Sequence, residues 1–510
     1  MRPPGNPGIL LRLPLFLLIW GAFAVAMFAP AAYGLVQGDI SSAQSFLFAG
    51  AGGLVLITLI ALARSGKGPR YGTLGQLLAL LGTFALLPVY LAVPFHDALQ
   101  TTSFFNAYFD MVSSITTTGA NLFDDPSRLN NTLHLWRAQV GWMGGLLMWI
   151  AASAILAPLS LGGFEVTARG QPGQSAMGST RSQSYEPRLR LLRITGTLAP
   201  VYIGLTVVIW VLLMIAGERS LTGLSHAMSV MATSGISPVG GVQNGLAAQT
   251  GEMILFLFMF FALSRLTFSN DTATTGFSRL DKDPEFRLGL LFVLGVPILL
   301  FIRHWLAAFD INASEDISLA LHAFWGSMFT VMSFLTTTGF VSADWGEAQQ
   351  WSGLGTPGLI LMGLALIGGG VATTAGGVKL LRVYALYLNG YREIERLVHP
   401  SSVSGAIVGN KRIQRNGAFI AWVFFMLFAL SLALVAVVLA ALGVSFDQAI
   451  VLSIATLSTT GPLIEVASET PIRLAELGGW TKGVLCVAMV LGRLETLAII
   501  ALLTPDLWRS

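Results

Sequence analysis

The chain has 510 residues, of which 54% are hydrophobic and only 11% are charged, and its net charge is +3. A soluble domain carries about 25% charged residues, so the composition indicates an integral membrane protein and excludes an ordinary soluble domain. The single cysteine, Cys486, excludes an intramolecular disulfide and a multi-thiolate metal site, and we expect it to be a small buried core residue.

Ten apolar stretches of about 20 residues are predicted to cross the membrane as helices. The first follows Arg2 and Arg12, runs to about Val36 and is too long for a signal-peptide core, so it is interpreted as an uncleaved helix. The ten are centred near residues 23, 55, 83, 147, 204, 259, 296, 370, 428 and 491. Four half-polar stretches lie between them, are predicted to be too short to span a bilayer, and begin near Asp97, Leu221, Ser318 and Ser445.

The charges of the loops predict the orientation of the chain. If the N-terminus is cytoplasmic, the inner segments hold 22 Lys and Arg against 9 Asp and Glu, and the outer segments hold 6 against 16. Arg493 and Glu495 are set aside as intramembrane. Both termini are then cytoplasmic, and the outer mouth is acidic, which concentrates cations.

Each of the four short stretches ends in a hydroxyl–glycine motif: ITTTG (115–119), MATSG (231–235), LTTTG (335–339) and LSTTG (457–461). The position two before the glycine is always threonine, and the position before the glycine always carries a hydroxyl. The motif residues are Thr117, Thr118, Gly119, Thr233, Ser234, Gly235, Thr337, Thr338, Gly339, Thr459, Thr460 and Gly461. Successive glycines are 116, 104 and 122 residues apart, so the repeating unit is a whole module.

This repeat predicts an all-α membrane protein of four pore modules in a pseudo-fourfold arrangement. Each module reads as crossing helix, short re-entrant helix, hydroxyl–glycine turn and crossing helix. The predicted domains are an N-terminal two-helix hairpin at 1–66 and pore modules at 67–165, 166–280, 281–400 and 401–510.

One such stretch alone is typical of a helix-packing surface or a turn. Four copies in register on the same face favour a pore lining, because non-helical backbone at membrane depth is tolerated where it lines a cavity. Glycine adopts backbone angles closed to other residues, and rings of carbonyl and hydroxyl oxygens can replace the hydration shell of a cation.

The eighth crossing is interrupted by IGGGVATTAGGVK (367–379). A phosphate-binding loop is excluded, because the spacing G-x-x-x-x-G-K-[ST] is absent. Two interpretations remain open: the glycines kink a helix or seat a neighbour, or the segment is a gate.

The four motifs, the extra hairpin, YREIERLVHPSSV (391–403) and LGRLETLAII (491–500) resemble the Trk/Ktr/HKT superfamily of potassium transporters, and within it the bacterial TrkH branch. The resemblance covers nearly the whole chain. It implies K⁺ uptake across the bacterial inner membrane, K⁺ bound at the four motifs, a homodimer with one pore per subunit and a cytosolic nucleotide-binding regulator of the TrkA type. No organic cofactor, no metal other than K⁺ and no nucleic-acid partner is expected. The second module departs from the family pattern at ATSGISPVGG (232–241), so its detailed geometry stays open.

The resemblance also implies that the interrupted segment is an intramembrane gating loop below the filter. The expected gate residues are Gly368, Gly369, Gly370, Thr373, Thr374, Gly376, Gly377 and Arg493. Arg493 lies about 24 Å along the last helix from Leu477, and an arginine there costs at least about 2.5 to 3.5 kcal/mol unless it faces protein or water. Glu495 cannot share its helix face. Arg493 is therefore either in an ion pair with another helix or a positive guard of the pore, as the resemblance favours.

Two cytoplasmic stretches and three histidines complete the sequence predictions. Residues 165–190 read as a flexible connector. Residues 379–415 carry seven basic residues, including Lys379, Arg382, Arg392 and Arg396. The resemblance implies that parts of this stretch dock the regulator, and attraction to anionic lipid is the alternative. The histidines lack the paired spacing of a metal site and are expected to pack or hydrogen-bond; they are His134, His226 and His322.

Three classes of function compete at this stage. A gated cation-conducting transporter is favoured by the four motifs. A sodium- or proton-coupled symporter, or a poorly selective K⁺/Na⁺ transporter of the same fold, is the alternative, although coupled transporters more naturally show inverted repeats and midplane charges. An enzyme is not expected, because no catalytic constellation is found. Within the superfamily, four filter glycines suggest K⁺ preference, so Gly119→Ser is expected to lower that preference while leaving folding largely intact.

Overall fold

The computed structural model describes residues 13–64, 73–157, 187–264, 280–308, 317–353, 355–398, 415–468 and 472–495. All regular secondary structure in these ranges is helical. Three predictions fall wholly or partly outside the described residues: the connector up to 186, the family segment from 399 to 403 and the family segment from 496 to 500. The module boundaries near 66, 165 and 400 also lie outside or at the edge of these ranges and stay predictions.

Nineteen α-helices lie in the described ranges: α1 Leu15–Ala26, α2 Phe28–Gln37, α3 Ile40–Arg64, α4 Thr73–Ala85, α5 Leu87–Ala98, α6 Phe104–Ile115, α7 Asn131–Ala151, α8 Pro187–Ile215, α9 Ser220–Ala232, α10 Ala248–Leu263, α11 Pro284–Ala308, α12 Ile317–Leu335, α13 Trp345–Ser352, α14 Pro357–Ile367, α15 Leu380–Val398, α16 Arg415–Ala441, α17 Phe446–Leu457, α18 Leu463–Ala467 and α19 Gly479–Leu494. Local signals set several starts. Ser103 caps α6 by accepting from the Asn106 N–H, and Asn130 caps α7 by accepting from the Leu133 N–H.

Eight segments of the described residues are long and apolar enough to cross a membrane, which makes the chain a multi-pass membrane protein. Seven of them coincide with predicted crossings: Leu15–Gln37, Ile40–Ala63, Leu74–Ala98, Asn131–Leu156, Arg190–Ile215, Pro284–Arg303 and Gly417–Ala441. The predicted crossings near 259 and 491 appear as the 16-residue helices α10 and α19. The crossing near 370 is interrupted between α14 and α15, as the glycine-rich segment predicts.

The predicted pore helices, called pore helices below, are α6, α9, α12 and α17, and they differ in length. Three of them have 12, 13 and 12 residues, as predicted. The prediction is wrong for the third, because α12 has 19 residues and its stretch Ser318–Leu335 is long and apolar enough to span a membrane. The apolar residues that follow Ile317 extend this helix at its N-terminal end, while its C-terminal end keeps the hydroxyl–glycine turn.

Each pore helix packs against crossing helices of its own module and against the last crossing helix of the module before it. Thus α9 packs on α7, α12 on α10, α17 on α14, and α6 on α19, which returns to the start. This cyclic order is the one expected of four modules around one axis. The hairpin stands outside it, with α1 and α3 packed on α4 and α5 of the first module.

Candidate functional site

All four pore helices end in the same backbone turn. The threonine two before the glycine adopts a left-handed conformation in each case: φ is 54° at Thr117, 50° at Thr233, 57° at Thr337 and 54° at Thr459. The following N–H donates to the carbonyl five residues before it, as in a Schellman motif: Thr118 to Ser113 (2.9 Å), Ser234 to Ser229 (3.0 Å), Thr338 to Ser333 (2.8 Å) and Thr460 to Ala455 (2.8 Å). Glycine is usual at the left-handed position, and a β-branched residue there is an outlier that costs of order 1 to 3 kcal/mol. The surrounding contacts must therefore hold each threonine in place.

The second module keeps this backbone despite its different sequence. Ser229 Oγ donates to the Ile236 carbonyl at 2.5 Å, as Ser113 Oγ donates to the Ala120 carbonyl at 3.1 Å. Only the hydroxyl pairing changes. In the other three modules, the residues three and one positions before the glycine both carry hydroxyls, and these hydroxyls lie 2.8 to 3.2 Å apart. In the second module the residue three before the glycine is an alanine. Ser234 Oγ there pairs with Ser229 Oγ instead, at 3.2 Å. The geometry that the sequence left open is thus regular in its backbone.

The four turns touch one another in cyclic order. The Gly461 N–H donates to the Thr118 carbonyl at 2.6 Å, which joins the fourth turn to the first. The other glycines lie so close to a neighbouring turn that a Cβ would overlap it: Gly119 against the Ser234 carbonyl, Gly235 against the Thr338 carbonyl and Gly339 against the Pro462 ring. These three glycines also have positive φ, from 64° to 83°. Glycine is required here by both space and backbone angle.

Two of the four left-handed threonines have hydroxyls without a protein partner. Thr117 Oγ1 and Thr459 Oγ1 are buried and make no hydrogen bond to any described residue. The other two are engaged: Thr233 Oγ1 donates to the Ala232 carbonyl at 2.7 Å, and Thr337 Oγ1 accepts from the Gly376 N–H at 2.7 Å. An unsatisfied buried hydroxyl costs about 1 to 3 kcal/mol, and such a group in a folded protein calls for an explanation, for example a bound ion.

A cavity of about 60 Å³ lies against the turns and is lined by residues of all four modules, among them Gly119, Ser237, Phe340 and Glu465. Arg137 on α7 also lines it and forms a buried ion pair with Asp110 of the first pore helix, with 2.9 Å between Nε and Oδ2. This pair fixes the first pore helix to the crossing helix that follows it.

The segment between α14 and α15 leaves helical geometry completely over residues 368–379, so it is more than a kink. Its two ends are joined by three backbone hydrogen bonds: Val378 N–H to Leu366 O (2.9 Å), Lys379 N–H to Ile367 O (2.8 Å) and Leu380 N–H to Gly369 O (2.9 Å). Gly368 and Gly377 have positive φ and lie too close together for a Cβ on either. The segment is thus a closed, buried loop. It contains the residues that the resemblance implies for the gate: Gly368, Gly369, Gly370, Thr373, Thr374, Gly376 and Gly377.

This loop contacts three of the four turns or their pore helices. The Gly376 N–H donates to Thr337 Oγ1, and Thr374 Oγ1 donates to the Met231 carbonyl at 3.0 Å. A Cβ on Gly376 would overlap the Ser458 carbonyl and the Thr459 hydroxyl. The loop therefore lies directly against the second, third and fourth modules at their turns. Inside the loop, Thr373 Oγ1 donates to the Gly370 carbonyl at 2.7 Å.

Arg493 lies against the loop and is 3% exposed. Its Nη1 donates to the Thr374 carbonyl at 2.7 Å, while Nε and Nη2 have no hydrogen-bond partner among the described residues. No ion pair within the described part of the chain includes Arg493. Glu495 points elsewhere, as the helical spacing predicts, and binds Arg382 with 2.6 Å between Nη2 and Oε2.

The prediction that Lys379 and Arg382 belong to a docking or lipid-binding surface is wrong. They are 6% and 0% exposed. Lys379 Nζ donates to the Ala375 carbonyl inside the loop, and the Arg382 guanidinium lies 3.6 Å from the centre of the Phe424 ring. Sequence reasoning missed Arg382 and Glu495 as supports of the loop, because these partners come from distant segments. It also missed Lys379, although its partner Ala375 is only four residues away.

The three histidines and the cysteine behave as predicted. His134 Nε2 lies 2.9 Å from the Pro126 carbonyl, and His226 Nε2 lies 2.9 Å from Ser237 Oγ. Cys486 is buried in the core. His322 also hydrogen-bonds as predicted, since its Nδ1 lies 2.7 Å from Gln249 Nε2 and 3.1 Å from Asp344 Oδ2, and a second carboxylate, Glu347, lies beside it.

Comparisons with known proteins agree on one family. The family model described as TrkH, cation transport protein, matches residues 90–507. The Trk system potassium uptake protein TrkH of Halomonas elongata is 31% identical over 437 residues, which cover 85% of this chain and 84% of that protein. The protein of the same name from Salmonella typhimurium is 29% identical over 413 residues, 79% of this chain and 80% of that protein. The crystal structure of the potassium transporter TrkH from Vibrio parahaemolyticus is similar with a TM-score of 0.78 and 25% identity, over 98% of this chain and 100% of that one.

Proposed function

The chain belongs to the TrkH family of cation transport proteins, whose members are transporters and not enzymes, and we propose that it takes up K⁺ through a pore formed by its four hydroxyl–glycine turns. The relatives in Halomonas elongata and Salmonella typhimurium are named potassium uptake proteins. One observation carries the proposal: the four turns touch in cyclic order, and the buried hydroxyls of Thr117 and Thr459 lack a protein partner among the described residues.

In this proposal the turns form a selectivity filter. A cation that enters a narrow pore loses part of its hydration shell, and oxygens of the protein must replace the lost water. The filter oxygens come from the backbone and hydroxyls of the twelve motif residues, Thr117 to Gly119, Thr233 to Gly235, Thr337 to Gly339 and Thr459 to Gly461. K⁺ is the only metal that the transport site requires, and no organic cofactor is involved.

The loop at 368–377 acts as the gate. Its contacts with the Thr337 hydroxyl and the Met231 carbonyl support a closed position directly beside the turns. Arg493, which donates to the Thr374 carbonyl, supplies a positive charge that repels cations and holds the loop. Opening requires the loop to leave the turns, and we assign the control of this step to a cytosolic nucleotide-binding regulator of the TrkA type.

The proposed setting is the bacterial inner membrane, with the chain as a homodimer and with both termini in the cytoplasm. The positive excess of the inner loops and the negative excess of the outer loops support this orientation. On this orientation the filter turns face the outer side, below an acidic mouth.

The test is cation flux into liposomes that hold the purified protein, with and without the regulator, and with K⁺ or Na⁺ outside. We expect K⁺ flux that exceeds Na⁺ flux and depends on the regulator. The variant Thr117→Val with Thr459→Val removes the two unpartnered hydroxyls and should lower the K⁺/Na⁺ ratio. Thr58→Val is the matched control, because Thr58 is exposed on α3 and bonds only within its own helix.

The absence of flux under both conditions would refute the pore. A K⁺/Na⁺ ratio near one would favour the poorly selective transporter instead. Flux that stops when a sodium or proton gradient is removed would favour the coupled symporter.

A further inference from the structure

A cluster of metal-ligating side chains lies outside the ion pathway described above. His322, Asp344 and Glu347 each offer one ligand atom, and these atoms all lie within 4.8 Å of one another. His322 lies near the start of the third pore helix α12, and the two carboxylates lie at the start of α13, which follows the third turn. The cluster therefore joins the N-terminal part of α12 to the segment that follows the third turn.

The distances within the cluster suit a single metal ion. His322 Nδ1 lies 3.1 Å from Asp344 Oδ2. Two atoms that bind one Zn²⁺ at about 2.0 to 2.1 Å in tetrahedral geometry are separated by about 3.3 Å. Zn²⁺ binds His nitrogen and Asp or Glu oxygen, and a site with three protein ligands keeps a fourth position for water. Imidazole favours transition metals over Mg²⁺ and Ca²⁺.

The local fold brings these ligands together. Asp344 lies across Gly326 of α12 so closely that a Cβ at this glycine would overlap the Asp344 backbone. His322 is four residues before Gly326, so the two share one face of the helix. Glu347 is three residues after Asp344, on the same face of the first turn of α13.

A neighbouring amide lies within hydrogen-bond distance of both His322 and Asp344. Gln249 Nε2, on α10, lies 2.7 Å from His322 Nδ1 and 2.8 Å from Asp344 Oδ2. His322 Nδ1 and Asp344 Oδ2 are also within hydrogen-bond distance of each other, at 3.1 Å, so Nδ1 either donates to Asp344 or accepts from Gln249. In the second form its lone pair points into the cluster. This is the form of imidazole that binds a metal. The carboxylate of Asp344 is nearly buried, and the His322 side chain is 43% exposed, which gives an ion a route of entry.

We propose that His322, Asp344 and Glu347 form a binding site for a divalent transition-metal cation of the Zn²⁺ class. The three side chains supply three ligands, water supplies the fourth, and the Gln249 amide turns away from the ion. An ion bound there ties the segment after the third turn to the third pore helix. Ser342 in that segment already donates to Glu252 of α10 at 2.6 Å, so the site lies next to a hydrogen bond that holds the same segment.

The test is Zn²⁺ binding to the full chain in detergent, purified by a tag without histidine and freed of metal by a chelator. Calorimetry should give one Zn²⁺ per chain, and Co²⁺ in its place should give the visible absorption of a four-coordinate site. His322→Ala and Asp344→Asn should each weaken binding by roughly 10- to 100-fold or more, by comparison with the loss seen when even supporting residues of metal sites are changed. His96→Ala is the matched control, because His96 lies outside the cluster, and it should bind Zn²⁺ as the unaltered chain does.

A second readout, the melting temperature, distinguishes loss of the metal site from a folding defect. Zn²⁺ should raise the melting temperature of the unaltered chain and of His96→Ala, since a ligand that binds only the folded state stabilises it. His322→Gln should melt as the unaltered chain does without metal and should gain nothing from Zn²⁺. The proposal is overturned if the unaltered chain binds no Zn²⁺, or if the variants of His322 and Asp344 bind it as tightly as the control. Neither readout depends on K⁺ transport.

Discussion

Replacement of Arg493 by alanine tests the gate most directly. The Arg493 Nη1 donates to the Thr374 carbonyl at 2.7 Å, and this carbonyl belongs to the loop that lies against the turns. The guanidinium makes no ion pair with any described residue. On the proposed mechanism, alanine removes both a bond that holds the loop closed and a charge that repels cations.

The size of the effect follows from the hydrogen bond. A bond from a charged donor contributes about 1.5 to 3 kcal/mol, and every 1.4 kcal/mol is a factor of about ten in an equilibrium. If the bond exists only with the loop closed, its loss shifts the ratio of open to closed protein by roughly 10- to 150-fold. While the closed form predominates, K⁺ flux without the regulator rises by the same factor.

The assay is K⁺ uptake into liposomes without the regulator, at equal protein content and with the oligomeric state checked by gel filtration. Arg493→Gln is the informative second variant, because a neutral amide can still donate to Thr374 and should give an intermediate flux. Arg473→Ala is the charge-matched control. Arg473 lies on the outer side of the proposed orientation, is 63% exposed and pairs only with the exposed Glu476, so this variant should leave the flux unchanged.

Two results would refute this reasoning. Arg493→Ala could assemble as the unaltered protein does and yet show the same flux without the regulator, in which case Arg493 does not hold the gate. It could also fail to assemble or be degraded while Arg493→Gln survives. Arg493 would then be a structural residue, and its assignment to the gate should be dropped.

Three further predictions follow from the same region. Gly119→Ser should lower the K⁺/Na⁺ flux ratio. Against the expectation from sequence, it should also lower the melting temperature, because a Cβ there overlaps the Ser234 carbonyl. Gly204→Ser is the control, because a Cβ at Gly204 meets nothing within 4 Å, and an unchanged flux ratio in Gly119→Ser would count against Gly119 as part of the ion site. Shortening the loop within 368–377 should raise flux without the regulator, and a shortened protein that inserts normally but conducts no faster would contradict an obstructing loop. Arg382→Ala should destabilise the fold by about 3 to 5 kcal/mol in chemical unfolding, because it removes the ion-pair partner of the buried Glu495. The added change Glu495→Ala should restore part of the lost stability. If Arg382→Ala alone is as stable as the unaltered chain, Arg382 has no structural role.

The sequence was sufficient for features that repeat or that depend on local spacing. The four turns were predicted because a threonine and a glycine recur at the same two positions in each module, and the backbone of each turn is set by the end of one helix. The interruption of the eighth crossing was predicted because five glycines in ten residues cannot favour a helix. The separate faces of Arg493 and Glu495 follow from helical geometry alone.

Contacts between distant segments were beyond the sequence. Gly376 and Thr337 are 39 residues apart, and Arg382 and Glu495 are 113 apart, so neither spacing nor composition shows that they meet. Arg382 was misread for this reason, because a basic residue near a membrane surface and a basic residue buried beside a carboxylate look the same in one sequence. The cluster of His322, Asp344 and Glu347, which we propose binds a metal, was missed because His322 and Asp344 meet across a tertiary contact at Gly326.

The four left-handed threonines are chemically equal in sequence but not in the structure, and this difference bears on how the proposed gate could affect the proposed filter. Thr117 and Thr459 have hydroxyls without a protein partner among the described residues, whereas the Thr337 hydroxyl accepts from the loop residue Gly376. When the loop leaves, this hydroxyl loses its donor and becomes available to an ion. The same movement uncovers the Thr459 hydroxyl, which lies against Gly376. On the proposed mechanism, opening therefore changes the ligands of the filter together with the width of the path, and ion preference should differ between the closed and the regulator-opened protein.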